Sequence, residues 1–188
     1  MQKSKSVYQL KITLKESQPH IWRRILVPEN ITLSTLHLIL QDVLGWQDYH
    51  LHQFIINEQY YGEPDDEFDQ TEILKEAKYR LNKFVSGEKF KFTYEYDFGD
   101  GWQYAVLVEK ILPREKDVLY PICVGGKRAC PPEDVGGVWG YEEFLNAIAN
   151  PKHEEHDHFL SWVGGKFDPE TFSADEINQL WREKGLDI

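Results

Sequence analysis

Between residues 90 and 108 the chain alternates. Phe90, Phe92, Tyr94, Tyr96 and Phe98 are separated by Lys91, Thr93, Glu95 and Asp97. Trp102, Tyr104, Val106 and Val108 follow with the same two-residue period. This pattern predicts two half-buried strands joined as a hairpin. An Asp-Gly pair commonly makes a two-residue turn. That register would set Phe98 against Gln103. A three-residue loop over 99–101 sets Phe98 against Trp102, Tyr96 against Tyr104 and Phe92 against Val108. It gathers every aromatic on one face and is the register we expect, with Gly101 left-handed.

The same reading covers the rest of the chain. Residues 7–14 and 21–27 alternate as strands; Trp22 and Leu26 give the second an apolar outer face, as in a central strand. Ser34 can cap a helix with the stripe Leu36, Ile39, Leu40, Val43 and Leu44, which Gly45 closes. Residues 50–56 predict a strand, 63–70 an acidic mobile loop, and 74–85 a short helix. The Gly/Pro-rich stretch from Gly125 to Gly137 predicts an ordered irregular loop. Tyr141, Phe144, Leu145 and Ile148 mark a helix that Asn150-Pro151 ends. Phe159, Leu160, Trp162 and Val163 mark another, broken at Gly164-Gly165. Ser173 to Glu176 is a capping box opening a last helix with the stripe Ile177, Leu180 and Trp181. The order predicts an α+β fold: a mainly antiparallel sheet with helices packed on it and a helical C-terminal third. One domain over 1–188 is expected.

Composition narrows the function. The chain has 188 residues and a formal net charge of −11. That field repels a phosphate backbone and argues against direct nucleic-acid binding. Arg23-Arg24 and Lys127-Arg128 are the compact basic candidates. The sequence shows no signal peptide and no apolar run of membrane-spanning length, so a cytoplasmic protein is expected. Cys123 and Cys130 match neither a redox pair nor a zinc knuckle and are expected as thiols.

Several groups could carry chemistry. Asp97 and Asp100 crowd the hairpin tip, near Gln103 in the expected register; they either cap turn amides or belong to a site. His50 and His52 share a strand face, and His37 on the preceding helix could join them to hold a divalent metal. The alternative is simple packing beside Phe54 and Ile56. His153, His156 and His158 sit among acids on an amphipathic helix and lack the H-E-x-x-H spacing. The glycines at 125–126 and 136–137 lack a Walker or dinucleotide pattern. The latter pair could hold an anion at a helix N-terminus or simply supply positive φ. Cys130 near Arg128 could be a low-pKa thiol; a structural thiol is the preferred reading.

The rare segments resemble, in order and spacing, the family of plasmid open-reading-frame-three-like proteins named after a root-inducing plasmid. They are Ile21-Trp22-Arg23-Arg24-Ile25, Leu36-His37, Gly45-Trp46, His50-Leu51-His52-Gln53-Phe54 and Tyr96-Asp97-Phe98-Gly99-Asp100 with Trp102. The pattern continues through Arg128 to Asp134, Gly136-Gly137, Gly140-Tyr141, Asn150-Pro151, His153, His156 and Phe167-Asp168-Pro169. The resemblance implies a soluble protein of bacteria or archaea, often encoded beside mobile elements and sometimes labelled a resolvase. Relatives often carry His where this chain has Tyr104. A recombinase needs an activated Ser, arginines around a phosphate and a DNA-binding module. The sequence supplies none of these.

Three functions are therefore expected, and no cofactor is identified. The first is a binding module for a small molecule or protein partner. Its pocket would join Trp102, Trp139 and Tyr141 to Asp97, Asp100, Arg128, Glu133 and Asp134. The second is a metal-dependent hydrolase using His37, His50 and His52 with Asp97, Asp100 and Glu133. The third is an accessory factor for a transposon or plasmid recombinase. Asp134 is also expected to pair with Arg128 or to accept glycine amides.

Overall fold

The computed structural model describes residues 4–64 and 73–188. The alternating segments form one eight-stranded sheet. Its strands are β1 (Ser6–Leu14), β2 (Trp22–Pro28), β3 (His52–Ile56), β4 (Gln59–Gly62), β5 (Ile73–Lys75), β6 (Lys91–Tyr96), β7 (Trp102–Pro113) and β8 (Ile122–Lys127). The order across the sheet is β5-β4-β3-β6-β7-β1-β2-β8. Every neighbouring pair is antiparallel except β4 and β5. The helices are α1 (Leu33–Leu44), α2 (Gly137–Ala149), α3 (His156–Trp162) and α4 (Ala174–Glu183). None is long and apolar enough to cross a membrane.

One face of the sheet makes the core. Leu10, Ile12, Ile25, Val27, Phe54, Tyr94, Tyr104, Val106 and Val108 are fully buried there with Leu33, Leu36 and Leu40 of α1. The opposite face keeps Gln9, Lys11, Arg24, Thr93 and Glu95 half-exposed. Helix α4 is tied to α1 by Trp181, whose indole N–H donates to Asp42 Oδ2 at 3.0 Å. The capping box forms, with Ser173 Oγ accepting from the Glu176 amide. The α+β class holds, but the helical C-terminal third holds only in part. Strand β8 reaches into it, and 150–155 and 163–173 are turns and irregular chain.

Local chemistry moved several boundaries. The hairpin pairs Tyr96 with Trp102 and Tyr94 with Tyr104, around a five-residue loop, 97–101. The slip from the expected register is two residues, so inward side chains stay inward. Asp97 causes it. It takes a left-handed φ of 55°, its carbonyl accepts from Gly101, and its Oδ1 accepts from the amides of Gly99 and Asp100. Phe98 is thereby left 47% exposed instead of paired with Trp102. Gln103 lies opposite Glu95 and bonds to it at 3.2 Å, away from the tip carboxylates.

Residues 74–85 form the end of β5 and two 3-10 turns, Glu76–Lys78 and Leu81–Lys83, not one helix. The Gly125-Gly126-Lys127 stretch is strand, paired with Trp22 to Arg24. Gly126 is required there, because a Cβ would sit 2.5 Å from the Phe172 ring. Thr32, not Ser34, caps α1, accepting from the Thr35 amide. Of the expected acidic loop, 65–70 lies outside the described residues.

Candidate functional site

Three irregular segments meet beyond the ends of β3 and β6: residues 46–51, the hairpin tip 97–101, and 131–136. Gly45 ends α1 in a left-handed conformation (φ 77°), and the Trp46 amide donates back to Gln41. Trp46 is then pinned. Its ring stacks on Tyr96 at 4.8 Å, and its indole N–H donates to the carbonyl of Pro131 at 3.0 Å. The Tyr96 hydroxyl accepts from the amides of Tyr49 and His50 and donates to Glu133 Oε1. Burial, then the bond to Glu133, pushes the Tyr96 phenol up. Glu133 Oε2 accepts from the Gln47 amide. Glu133 is therefore occupied in holding residues 47–50 in shape.

This frame presents His50 to two carboxylates. His50 Nε2 lies 3.0 Å from Asp134 Oδ1 and 3.7 Å from Asp97 Oδ2. The nitrogen is shielded from solvent, yet it makes no hydrogen bond. The short distance to Asp134 is thus a close approach without hydrogen-bond alignment. Asp97 is buried and spends Oδ1 on turn amides, leaving Oδ2 towards His50. The Asp134 side chain is 64% exposed. Asp97 and Asp134 both hold left-handed backbone, φ 55° and 61°. Such conformations cost free energy and gather at functional sites. One ring nitrogen and two carboxylate oxygens within 4.8 Å of one another form a set that can take a metal ion.

A second set lies next along the chain. The rings of His37 and His52 stack face to face, with centroids 3.4 Å apart. His37 Nε2 meets Asp48 Oδ1 at 2.8 Å, and His52 Nε2 meets the buried Glu76 at 2.9 Å. Gln41 Nε2 donates to the Tyr94 hydroxyl, so that hydroxyl donates onward to His37 Nδ1. His37 Nε2–H then donates to Asp48, whose own amide donates to Gln41 Oε1. The ring of bonds closes. Burial, reinforced by the neighbouring His52, holds the His37 imidazole below its ordinary pKa. His37, Asp48 and His52 also stand within metal-binding reach of one another. Their ring bonds, however, are already made, whereas those of His50 Nε2 are not.

The expected trio of imidazoles therefore divides. His50 precedes β3 rather than lying on it, so it does not share a face with His52. It turns to Asp97 and Asp134, while His52 turns to His37.

The other expected site residues scatter. Asp100 accepts the Gly136 amide at 3.0 Å, so the anion at the start of α2 is this protein's own carboxylate. Gly136 and Gly137 both take positive φ there. Trp102 and Tyr141 are core residues that offer no surface to a ligand. Burial raises the Tyr141 hydroxyl to about 12. Trp139 is 79% exposed.

Arg128 is buried, donating to Glu170 and to the carbonyl of Pro19, and does not pair with Asp134. Nor do the expected basic residues form a patch among the described residues. Arg23 is buried against the carbonyls of Val43, Trp22 and Lys127, and Arg24 makes two bonds to Glu109. Burial pushes the Cys130 thiol up although Arg23 donates to its sulfur, so it is not an activated nucleophile. Of the second histidine group, His153 meets Glu143 and His156 bonds the carbonyl of Ala147. Asp48 and Glu76 were not anticipated. The spacing Asp48, His50, His52 carried a trace of the first; Glu76 had no local signal.

The family described as plasmid pRiA4b ORF-3-like protein matches residues 6–176. The chain belongs to that family. The chain is 37% identical over 175 residues to uncharacterized protein y4hQ of Sinorhizobium fredii (strain NBRC 101917 / NGR234), covering 93% of this chain and 90% of the relative. It also resembles the crystal structure of a protein of unknown function, MM3350, from Methanosarcina mazei Go1. There the identity is 43% and the TM-score 0.83, over 92% of this chain and 98% of that one. The fold is thus known by experiment in a similar protein, while neither protein's name states an activity.

Proposed function

We propose that this chain is a divalent-metal protein whose working centre is His50, Asp97 and Asp134, and that the centre serves hydrolysis. The observation that carries the reading is the His50 Nε2 atom. It is shielded from water, makes no aligned hydrogen bond, and is faced by two carboxylate oxygens, the nearer at ion-pair distance. A buried polar atom without an aligned hydrogen bond needs an explanation. A cation would supply one and would neutralise the adjacent acids.

One imidazole and two carboxylates suit Zn²⁺ or Mn²⁺. Three protein ligands leave positions for water, as catalytic centres do and closed structural sites do not. A metal there would lower the pKa of bound water and supply hydroxide near neutrality. Asp134, on the exposed side, leaves such water accessible. The Tyr96–Glu133 pair would fix the loop that aims His50, the part played by outer-shell residues at metal centres.

We place the protein in the cytoplasm, in association with mobile elements. Two free cysteines support the first, and the plasmid origin in the family description supports the second. The test is metal uptake by tag-free protein, read by elemental analysis and calorimetry. About one ion per chain is expected, with Asp134→Asn and His50→Gln each weakening uptake at least tenfold. His37→Asn should leave the stoichiometry unchanged. Unaltered uptake in His50→Gln, or no uptake by the parent, would sink the reading. The close approach of His50 to Asp134 would then be a structural contact alone.

A further inference from the structure

We infer that the surface around His50 docks a cationic peptide segment bearing apolar side chains, and that such a segment is the substrate class of the proposed centre. The inference rests on the metal reading for what happens after docking, not for docking itself.

Of the nine exposed large apolar side chains among the described residues, four belong to the segments around His50. Tyr49 is 70% exposed, Leu51 53%, Phe98 47% and Trp139 79%. Tyr49 and Leu51 flank His50, and Phe98 follows Asp97. Trp139 stands in the first turn of α2, which the Asp100–Gly136 bond fastens to the hairpin tip. Gly137 packs against the Asp100 carbonyl so closely that a Cβ would stand 2.5 Å from it. The other two segments are joined as tightly, by Tyr96, Glu133 and the bond from the Asp97 amide to the Leu51 carbonyl. Four exposed apolar side chains therefore stand on segments that meet at one corner, the one that carries His50, Asp97 and Asp134. Isolated exposed apolar groups need no explanation, but four of them on the segments that build a candidate centre do.

Charge selects the occupant. Residues 46–52, 97–101 and 131–143 hold seven carboxylates and no Lys or Arg; Asp48, Asp134, Glu142 and Glu143 are the exposed ones. A nucleic acid, an anionic lipid surface or a phosphate compound would meet repulsion there. A second copy of the chain docked face to face would set acid against acid. A segment with Lys or Arg beside Leu or aromatic residues satisfies both halves of the surface. Its cations would sit among the carboxylates or over the rings, and its apolar groups would cover Phe98 and Trp139.

The experiment uses a labelled short peptide of alternating Lys and Leu on the full chain, read by fluorescence anisotropy. Comparators alternate Lys with Ser and Glu with Leu, and a single-stranded oligonucleotide is a further probe. The Lys/Leu peptide should bind about tenfold more tightly than either comparator. The double variant Phe98→Ser/Trp139→Ser, which alters two exposed side chains and no proposed ligand, should lose about tenfold of that affinity while its metal uptake is unchanged.

Equal binding of the Lys/Leu and Lys/Ser peptides would overturn the inference by reducing the surface to bulk charge. Preference for the Glu/Leu peptide or the oligonucleotide would overturn it too. So would a dimer in sedimentation that the double variant abolishes, because these side chains would then form a self-association surface. Failure of metal uptake with peptide binding intact would fell the hydrolytic reading alone.

Discussion

At the scale of single residues, neighbours in sequence take different roles. Glu133 and Asp134 are adjacent, yet one braces a loop and the other faces His50 from the surface. Asp134 and Arg128 share no partner, since Arg128 is held by Glu170 and the Pro19 carbonyl. Arg128→Ala should cost about 1–3 kcal/mol, because it strips bonds from a buried position. Asp134→Asn keeps a side chain that tolerates left-handed backbone and should change stability by less than about 0.5 kcal/mol. With no contact between them, the double variant should be additive within about 0.5 kcal/mol. Thermal melts of the three proteins decide this, and a coupling well above that size would show a contact that the geometry does not contain.

His37 gives a residue-scale prediction in pH. Burial and His52 hold its folded pKa below the ordinary value of 6.5. The unfolded chain therefore binds a proton that the folded chain refuses. The sign follows: stability is fully present above about pH 6.5 and is lost as pH falls from there towards the depressed folded pKa. His37→Asn removes the titrating ring. Its melting temperature should fall less steeply than the parent's between about pH 6.5 and 5.5. Parallel slopes would mean that the imidazole is protonated inside the fold.

At the scale of elements, the start of α2 is the part most exactingly fitted. Gly140 lies so near the carbonyl of Val135 that an added Cβ would stand 2.1 Å from it. Gly140→Ala must shift α2 away from the segment carrying Asp134. We expect a loss of about 1–3 kcal/mol, as for other overpacked sites, with metal affinity reduced in parallel. Retained stability in a denaturant titration would show that the turn relaxes freely.

Strands β1, β2, β3, β6 and β7 were legible, because a two-residue period with one apolar face has a single physical reading; β4 and β5, of four and three residues, are too short to show it. The hairpin register was half legible. Parity follows from burial, but the two-residue slip depends on how Asp97 bonds its own turn, and periodicity carries no information about that. Strand β8 was hidden because Gly125 and Gly126 read as loop, and only the Phe172 ring lying over the strand requires the second glycine. The histidines were legible as candidates, but not their partners. Asp48 and Asp134 reach them through irregular backbone, and Glu76 comes from a 3-10 turn beyond the sheet edge.

At the scale of the whole molecule, the centre joins parts of the chain that are far apart in sequence. His50, Asp97 and Asp134 come from before β3, after β6 and before α2, so an unfolded chain offers no preformed set. Free energy of metal binding is then free energy of folding. With free metal at about a hundred times its dissociation constant, the folded state gains about 2.7 kcal/mol. For a chain of this size that is a rise in melting temperature of roughly 5–10 °C. Adding Mn²⁺ or Zn²⁺ to metal-stripped protein should produce the rise, and a chelator should reverse it. Asp134→Asn and His50→Gln should show little of it, whereas Phe98→Ser/Trp139→Ser should show it in full. The same rise in His50→Gln would place the bound ion elsewhere, at the His37–Asp48–His52 set first of all. That outcome would make the stacked imidazoles, not His50, the metal site of this fold.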